Sequence, residues 1–454
     1  MTQREYIDFK LYLTRPPEGQ DTCQVALLPT PEVGETITPV TVSAEKGPSA
    51  DQLPYLAGKS ITLRQLVQFG KGLANWLLPE DTIRSLFAEA LKRAGNEGGV
   101  RLRLIIADHS LKKWPWEYVY FDPLNGPDSM RGFLALEPRI SIVRHEPLPF
   151  PHPEPVKEKM VLTNLRMVVA AASPKGQKEL QIKKEVSTIK KALKDFNVEG
   201  IHIAVDLLMD ATPPEVAQAL QGTSSTYLFH FVGHGITESM SDPFTRGATK
   251  EEGYLFFIED KSTKSEAKVG ADDLAKYLQQ AGVRLAVMSA CYSGARNERY
   301  PWDSVAGAFA ARAIPATVAM QYKVIDSIAI KFTQAFYSSL SSGLSIDEAM
   351  SFGRLSMYEE AAADLDSVVN VEWGVPVLYS RLPGGILVPE LAERETETAK
   401  QIRMAIQQTV DTIEETGEVI GIKGKLEKGS YKIKQKVGTI KGEGKLVGWE
   451  TNSL

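Results

Sequence analysis

Two strand ends in this sequence carry groups able to do covalent chemistry. One is FHFVGHG, which sets His234 between Gly233 and Gly235 just past an apolar run. The other is AVMSACYSG, which sets Cys291 at the end of a second run. Glycines beside an imidazole let backbone approach a substrate closely and expose N–H groups. Small residues around the thiol, namely Ser289, Ala290, Ser293 and Gly294, leave access for a bulky substrate. A thiol with a neighbouring imidazole becomes a thiolate nucleophile, and the imidazole then protonates the leaving group. The N–H groups of Gly235 and Cys291 are candidate donors to a developing oxyanion, worth about 3–4 kcal/mol each in other enzymes.

Each of these residues has a bland alternative when taken alone. A lone cysteine on an apolar strand is usually buried filler. His230, four residues before His234, points along the strand interior and reads as structural. Cys23, in DTCQVALL, has no histidine nearby and reads as inert. The two cysteines are far apart in sequence, which argues against a disulfide framework and fits a reducing compartment. The six histidines lack cysteine neighbours at metal-ligand spacing, so no metal site is expected and no cofactor is implied.

Both reactive groups need a sheet to present them. Residues 160–385 alternate short apolar runs with amphipathic stretches. LRMVVAAA, IHIAVDLL, YLFHFVGHG, YLFFIED, RLAVMSACYSG, ATVAMQY and WGVPVLYS read as strands. LQIKKEVSTIKKALKDF, PPEVAQALQG, ADDLAKYLQQAG, SVAGAFAARA, IAIKFTQAFYSSLSSG and SIDEAMSFGRLSMYEE read as helices. That order predicts an α/β fold: a mainly parallel sheet flanked by helices, with sites at the C-terminal ends of strands.

Three further regions surround this half. Residues 1–146 mix strand runs such as YIDFKLYL and VRLRLIIAD with two helical stretches, an α/β or α+β segment without a catalytic constellation. Its second helix opens at Asp81 as a plausible N-cap and stops near Gly95, and Trp114 and Trp116 read as packing residues. Residues 147–159 open with prolines at 147, 149, 151, 153 and 155, an extended connector. Residues 386–454 turn polar and helical, then Lys- and Gly-rich. Residues 421–447 hold eight lysines against Glu427 and Glu443, and GEVIGIKGKL and GTIKGEGKL form an imperfect repeat. This tail reads either as a solvated, lysine-guarded edge of small hairpins or as a regulatory, partner-binding appendage.

Composition narrows the function further. Hydrophobic residues are 43% and charged residues 24% of the 454, ordinary for a globular protein. A net charge of −5 gives no bulk field for nucleic acid or an anionic membrane. The first ten residues, MTQREYIDFK, lack the apolar core of a signal peptide, and no stretch reaches the 18 or so clean apolar residues of a membrane span. The expected location is therefore the cytoplasm. No phosphate-binding G-x-x-x-x-G-K-[ST] loop occurs, which sets aside a nucleotide-dependent hydrolase.

With these motifs in view, the sequence resembles a family. FHFVGHG, MSACYSG, the run from GAFAARAIPATVAMQY to LSIDEAM, and WGVPVLYS look like the CHAT proteases, caspase-like relatives of separase in clan CD. The likeness covers most of residues 160–382, and WPWEYVYFD with FLALEPRISIVR resembles the region preceding the catalytic half in such proteins. The spacing agrees: 57 residues separate His234 from Cys291, and a caspase-type arrangement sets its histidine about 50 residues upstream of the cysteine. The resemblance implies a caspase-like sheet and a Cys–His dyad endopeptidase. His234 would act as general base and acid, Cys291 as nucleophile and Gly235 as an oxyanion donor.

Ser289, two residues before Cys291, falls where related enzymes line the pocket for the residue before the scissile bond. Metacaspases carry an acid there; Ser289 is neutral, and Asp303 or Asp326 would have to supply any acid. The tetratricopeptide repeats common in the family are not found here. The resemblance implies a protein substrate, a protein activator or inhibitor, and a role in prokaryotic regulated proteolysis or defence. The competing reading is a catalytically silent caspase-like scaffold that binds a partner through its basic tail.

Overall fold

The computed structural model describes residues 4–16, 22–79, 82–121, 130–146, 164–177, 180–194, 202–221, 226–241, 249–292, 302–358, 365–385, 387, 419–420 and 446–447. In chain order the front part forms β1 (Tyr6–Thr14), β2 (Thr22–Leu27), β3 (Val40–Ser43), α1 (Leu53–Ala57), α2 (Leu63–Leu77), α3 (Thr82–Ala94), β4 (Gly99–Ile106), α4 (His109–Lys112) and β5 (Ile140–Arg144). There follow β6 (Asn164–Ala171), α5 (Ile182–Lys194), β7 (His202–Met209), α6 (Pro213–Leu220), β8 (Thr226–Ser241), β9 (Thr249–Ile258), β10 (Glu266–Gly270) and α7 (Ala271–Gln280). The chain continues with β11 (Leu285–Tyr292), α8 (Trp302–Ala311), β12 (Ala316–Met320), α9 (Asp326–Ser341), α10 (Ile346–Met357) and β13 (Pro376–Ser380).

These thirteen strands make one mixed sheet in the order β7-β6-β8-β11-β12-β13-β5-β4-β1-β2-β3, with β9 and β10 added along the far part of β8. Pairing is parallel from β7 through β12 and from β13 through β1. It is antiparallel for β12 with β13, for the β9–β10 extension, and for β2 and β3. The α/β, mainly parallel architecture expected from the alternation of runs is therefore what forms.

The central strands are apolar on both faces because helices cover both. Val168, Ala170, Phe229, Phe231, Ala286 and Met288 pack toward α6, α7 and α8. The alternate residues Met167, Val169, Leu228, Val232, Leu285 and Val287 pack toward α5 and α9. Local signals set the helix ends. Thr212 and Ser345 each form a capping box with the glutamate three residues on. Gly282 ends the α7 turn at φ 76°, a conformation that costs glycine little.

Two features exceed the sequence reading. The strand expected to stop at Gly235 runs on to Ser241, because β9 pairs with it from His234↔Phe256 to Ser241↔Thr249. The front segment is also not separate from the sheet: β5 continues it beside β13 through Tyr379↔Arg144. The N-cap expected at Asp81, the proline-rich connector and nearly all of the tail lie outside the described residues. In the tail, β14 (Val419–Ile420) and β15 (Leu446–Val447) pair in parallel. No helix among the described residues is long and apolar enough to cross a membrane.

Candidate active site

His234 and Cys291 are partners in the sheet. The β8–β11 ladder runs in parallel from Leu228↔Leu285 to Gly235↔Tyr292, and within it His234 stands opposite Cys291. Neighbouring strands lie about 4.8 Å apart, so the two backbones are adjacent although 57 residues separate them in sequence. The Cys291 side chain is outside the described residues. His234 is 1% exposed. Strand alternation puts it on the face of Val232 and His230, the face covered by α5 and α9.

The neighbouring residues fall as follows. Gly233 is required by a close approach: a β-carbon there would lie 2.5 Å from the Phe231 ring and 3.0 Å from the Ala172 carbonyl oxygen. Gly235 is paired on both sides, with Tyr292 of β11 and Leu255 of β9. Its N–H therefore lies inside the sheet, facing one of those strands. Ser289 is buried, opposite Val232. Asp326 is the first residue of α9, and its Oδ2 accepts a hydrogen bond from the Gln181 N–H at 3.3 Å. The Asp303 side chain is outside the described residues. Among the described residues, no group of three or more His, Cys, Asp or Glu is placed to hold a metal ion. Cys23 is fully buried, and burial pushes its thiol up to about 12, so it stays protonated and unreactive at neutral pH.

Two polar clusters near this edge were not assigned from sequence. The first surrounds His230, which is fully buried between Val169 of β6 and Val287 of β11. Its Nδ1 lies 2.8 Å from the Tyr337 hydroxyl, and its Nε2 lies 3.4 Å from Glu185 Oε1. The latter contact is too poorly aligned for a hydrogen bond. Thr333 Oγ1 donates to the same Glu185 oxygen at 3.1 Å. Burial, and secondarily the Glu185 carboxylate, push the Tyr337 phenol well above its ordinary value, so it remains a donor. One signal was readable: Glu185 sits on the apolar stripe of α5, between Ile182 and Ile189.

The second cluster lies just past β12. Gln321 Nε2 donates to Glu117 Oε2 at 2.9 Å and to the Gly374 carbonyl at 2.6 Å. Glu117 is fully buried and also receives a forked pair of bonds from Arg144, at 3.2 and 2.8 Å. It belongs to the WPWEY motif, in which Trp116 is buried and Trp114 packs edge-on against Trp76.

A model of the CHAT domain matches residues 68–411, well over half of the 454. The chain belongs to the CHAT-domain family. The match begins within α2, so it takes in much of the front segment as well as β8 and β11. No curated protein sequence matches the chain. Among solved structures, the Saccharomyces cerevisiae separase–securin complex is similar at 15% identity and a TM-score of 0.32, over 66% of this chain and 16% of that one. The Arg-specific cysteine proteinase gingipain R (RgpB) is similar at 13% identity and a TM-score of 0.36, over 65% and 68%. The complex of the Porphyromonas gingivalis RgpB pro- and mature domains is similar at 11% identity and a TM-score of 0.35, over 75% and 78%. The chain thus spans about one sixth of the separase chain it matches.

Proposed function

We propose that the protein is a caspase-like cysteine endopeptidase in which Cys291 and His234 form the catalytic dyad. The observation that carries this reading is their pairing across β8 and β11 at the C-terminal end of two parallel strands, within a chain of the CHAT-domain family. In the reaction, the Cys291 thiolate attacks the carbonyl carbon of a peptide bond, and the C–N bond breaks as His234 gives its proton to the leaving amine. Water, deprotonated by His234, then attacks the thioester and releases the acid and the free thiol. Backbone N–H groups of Gly235 and Cys291 hold the oxyanion in both steps. Ser289, neutral and buried, lines the pocket for the residue before the scissile bond and gives no charge preference of its own.

Two features support an enzyme held in check. His234 is 1% exposed, so a peptide reaches it only after local opening. The Gly235 N–H lies within the sheet, so it becomes an oxyanion donor only when β8 parts from a neighbour at that level. A protein activator or inhibitor would act on this opening, with the lysine-rich tail as its contact, in a cytoplasmic pathway of regulated proteolysis or defence. The same burial favours, as a second reading, a silent scaffold.

A thiol-directed probe separates the two. In an active enzyme Cys291 labels far faster than Cys23, and His234→Ala slows that labelling. Cys291→Ala should abolish cleavage of any protein the wild type cuts. Cleavage that survives this substitution removes the endopeptidase reading, and labelling of Cys291 no faster than Cys23 favours the scaffold.

A further inference from the structure

We propose that His230 is a positioning residue for the dyad, acting through its hydrogen bond to Tyr337 of α9 and its contact with Glu185 of α5 to fix the height of β8. The inference rests on the endopeptidase reading and names a part of its machinery that neither touches substrate nor lies at the strand end.

The argument starts from where His230 sits. It occupies the middle of a central strand, with Val169 on one side and Val287 on the other. The β8 residues that share its face below and above are Leu228 and Val232, both apolar and buried. An apolar side chain would fill this position without the cost of burying a polar ring. Replacing buried polar groups by apolar ones of similar size is often neutral or stabilising. Packing stability therefore does not explain an imidazole here; directional bonding does. Dispersion contacts tolerate sliding of a strand past a helix, whereas a hydrogen bond at 2.8 Å does not.

The ring meets two different helices. The Tyr337 hydroxyl shares a hydrogen bond with Nδ1, and Nε2 faces Glu185. Glu185 is oriented in turn by Thr333 of α9. One side chain of β8 is thus tied to α9 through Tyr337 and to α5 through Glu185, while Thr333 joins the two helices. His234 lies two pleats further along the same face, about 13 Å away at about 3.3 Å per residue. No other polar side chain of β8 lies between them on that face. A change in the strand's height at His230 is passed along the extended backbone to His234, opposite Cys291.

The experiment measures the thiol rather than cleavage, so it needs no known substrate. The rate of Cys291 alkylation by iodoacetamide is followed against pH in the full chain, with Cys23 silent because burial holds its thiol near 12. Tyr337→Phe keeps the ring and removes only the hydroxyl bonded to Nδ1. We expect its alkylation profile to move up by about one pH unit, a roughly tenfold loss of thiolate at neutral pH. His230→Asn, whose amide can still bond the Tyr337 hydroxyl either way, should move it less than His230→Leu. A lower melting temperature with an unmoved profile for Tyr337→Phe would mean that the cluster only stabilises the core, and overturns the proposal. His234→Ala serves as the reference. If it shifts the profile and Tyr337→Phe does not, the positioning role alone falls. If His234→Ala leaves the wild-type profile unmoved, the dyad reading fails and the positioning role falls with it.

Discussion

The two halves of the sheet use charge in opposite ways. Around the β5–β13 junction, ionised side chains are buried and matched. Arg101 grips Asp347 with two bonds at 2.9 and 2.7 Å, both groups nearly inaccessible, while Ser141 donates to the same carboxylate at 2.6 Å. Arg144 grips Glu117 in the same forked way. Arg103 and Arg381 bond to backbone carbonyls of the β13 end and of its surroundings. Beside His234, by contrast, the adjacent residues in the sheet are Gly233, Gly235 and Phe256, none of them charged. The difference separates two jobs. Where the two halves of the sheet meet, buried ion pairs specify one registry; beside His234 the neighbours in the sheet are small or apolar.

The largest effect should come from breaking the junction. Asp347→Asn removes the charge facing Arg101 and leaves a buried guanidinium whose remaining carboxylate, Asp8, is partly exposed at 3.1 Å. Losing one partner of a buried pair costs about 3–5 kcal/mol, read as a lower midpoint in urea or heat. The same pair makes stability depend on pH. Burial pushes the Asp347 carboxyl up, but the Arg101 charge, its hydrogen bonds and that of Ser141 outweigh this and hold it below its usual value. The folded form therefore binds this proton less readily than the unfolded chain. Its contribution is complete above the unfolded value of about 3.9 and is lost as pH falls through the lower folded one. Wild type should lose stability in that acid window, and Asp347→Asn should lose less there. An equal slope in both proteins would assign acid sensitivity elsewhere.

Gln321 tests whether the two regions are coupled. It follows β12, the strand beside β11, yet bonds to Glu117 of the junction. Gln321→Leu leaves Glu117 with its Arg144 partner and frees the Gly374 carbonyl. A cost of about 1–2 kcal/mol is expected, with little change in the reactivity of Cys291. A large loss of thiol reactivity at nearly unchanged stability would show that the junction and the reactive edge work as one unit.

Much of this arrangement was legible in the amino-acid order, and the illegible parts share a cause. The helices from α5 to α10 and the strands bearing His234 and Cys291 announce themselves by local periodicity and by turn residues such as Gly282. What stayed hidden depends on partners far along the chain. The continuation of β8 past Gly235 exists because β9 returns beside it, and ITESMS alone carries no strong strand signal. The union of front and back into one sheet rests on Arg144 meeting Tyr379 across 235 residues. The roles of Glu117, Asp347 and His230 likewise follow from contacts with residues 27 to 246 positions away. Strand ends advertise the candidate pair His234 and Cys291 through residue type; buried networks advertise themselves only as polar residues on apolar faces, as Glu185 does.

The smallest effect is expected where geometry matches the junction but burial does not. Arg64 bonds Asp366 in the same forked manner, at 2.9 and 3.3 Å, yet the two side chains are 57% and 71% exposed. Water and salt screen such a pair, and holding two side chains still offsets most of its attraction. The segment is fixed independently by backbone bonds, since Leu63 N–H donates to Ser367 and Arg64 N–H to Leu365. Asp366→Asn should therefore leave the unfolding midpoint where it was, at low and at high salt alike. Set beside Asp347→Asn, the substitution keeps the chemistry and the bonding pattern constant and varies only access to solvent. A loss for Asp366→Asn comparable to that for Asp347→Asn would mean that bond geometry, not exclusion of water, governs these ion pairs, and the contrast between the two halves of the sheet would need another basis.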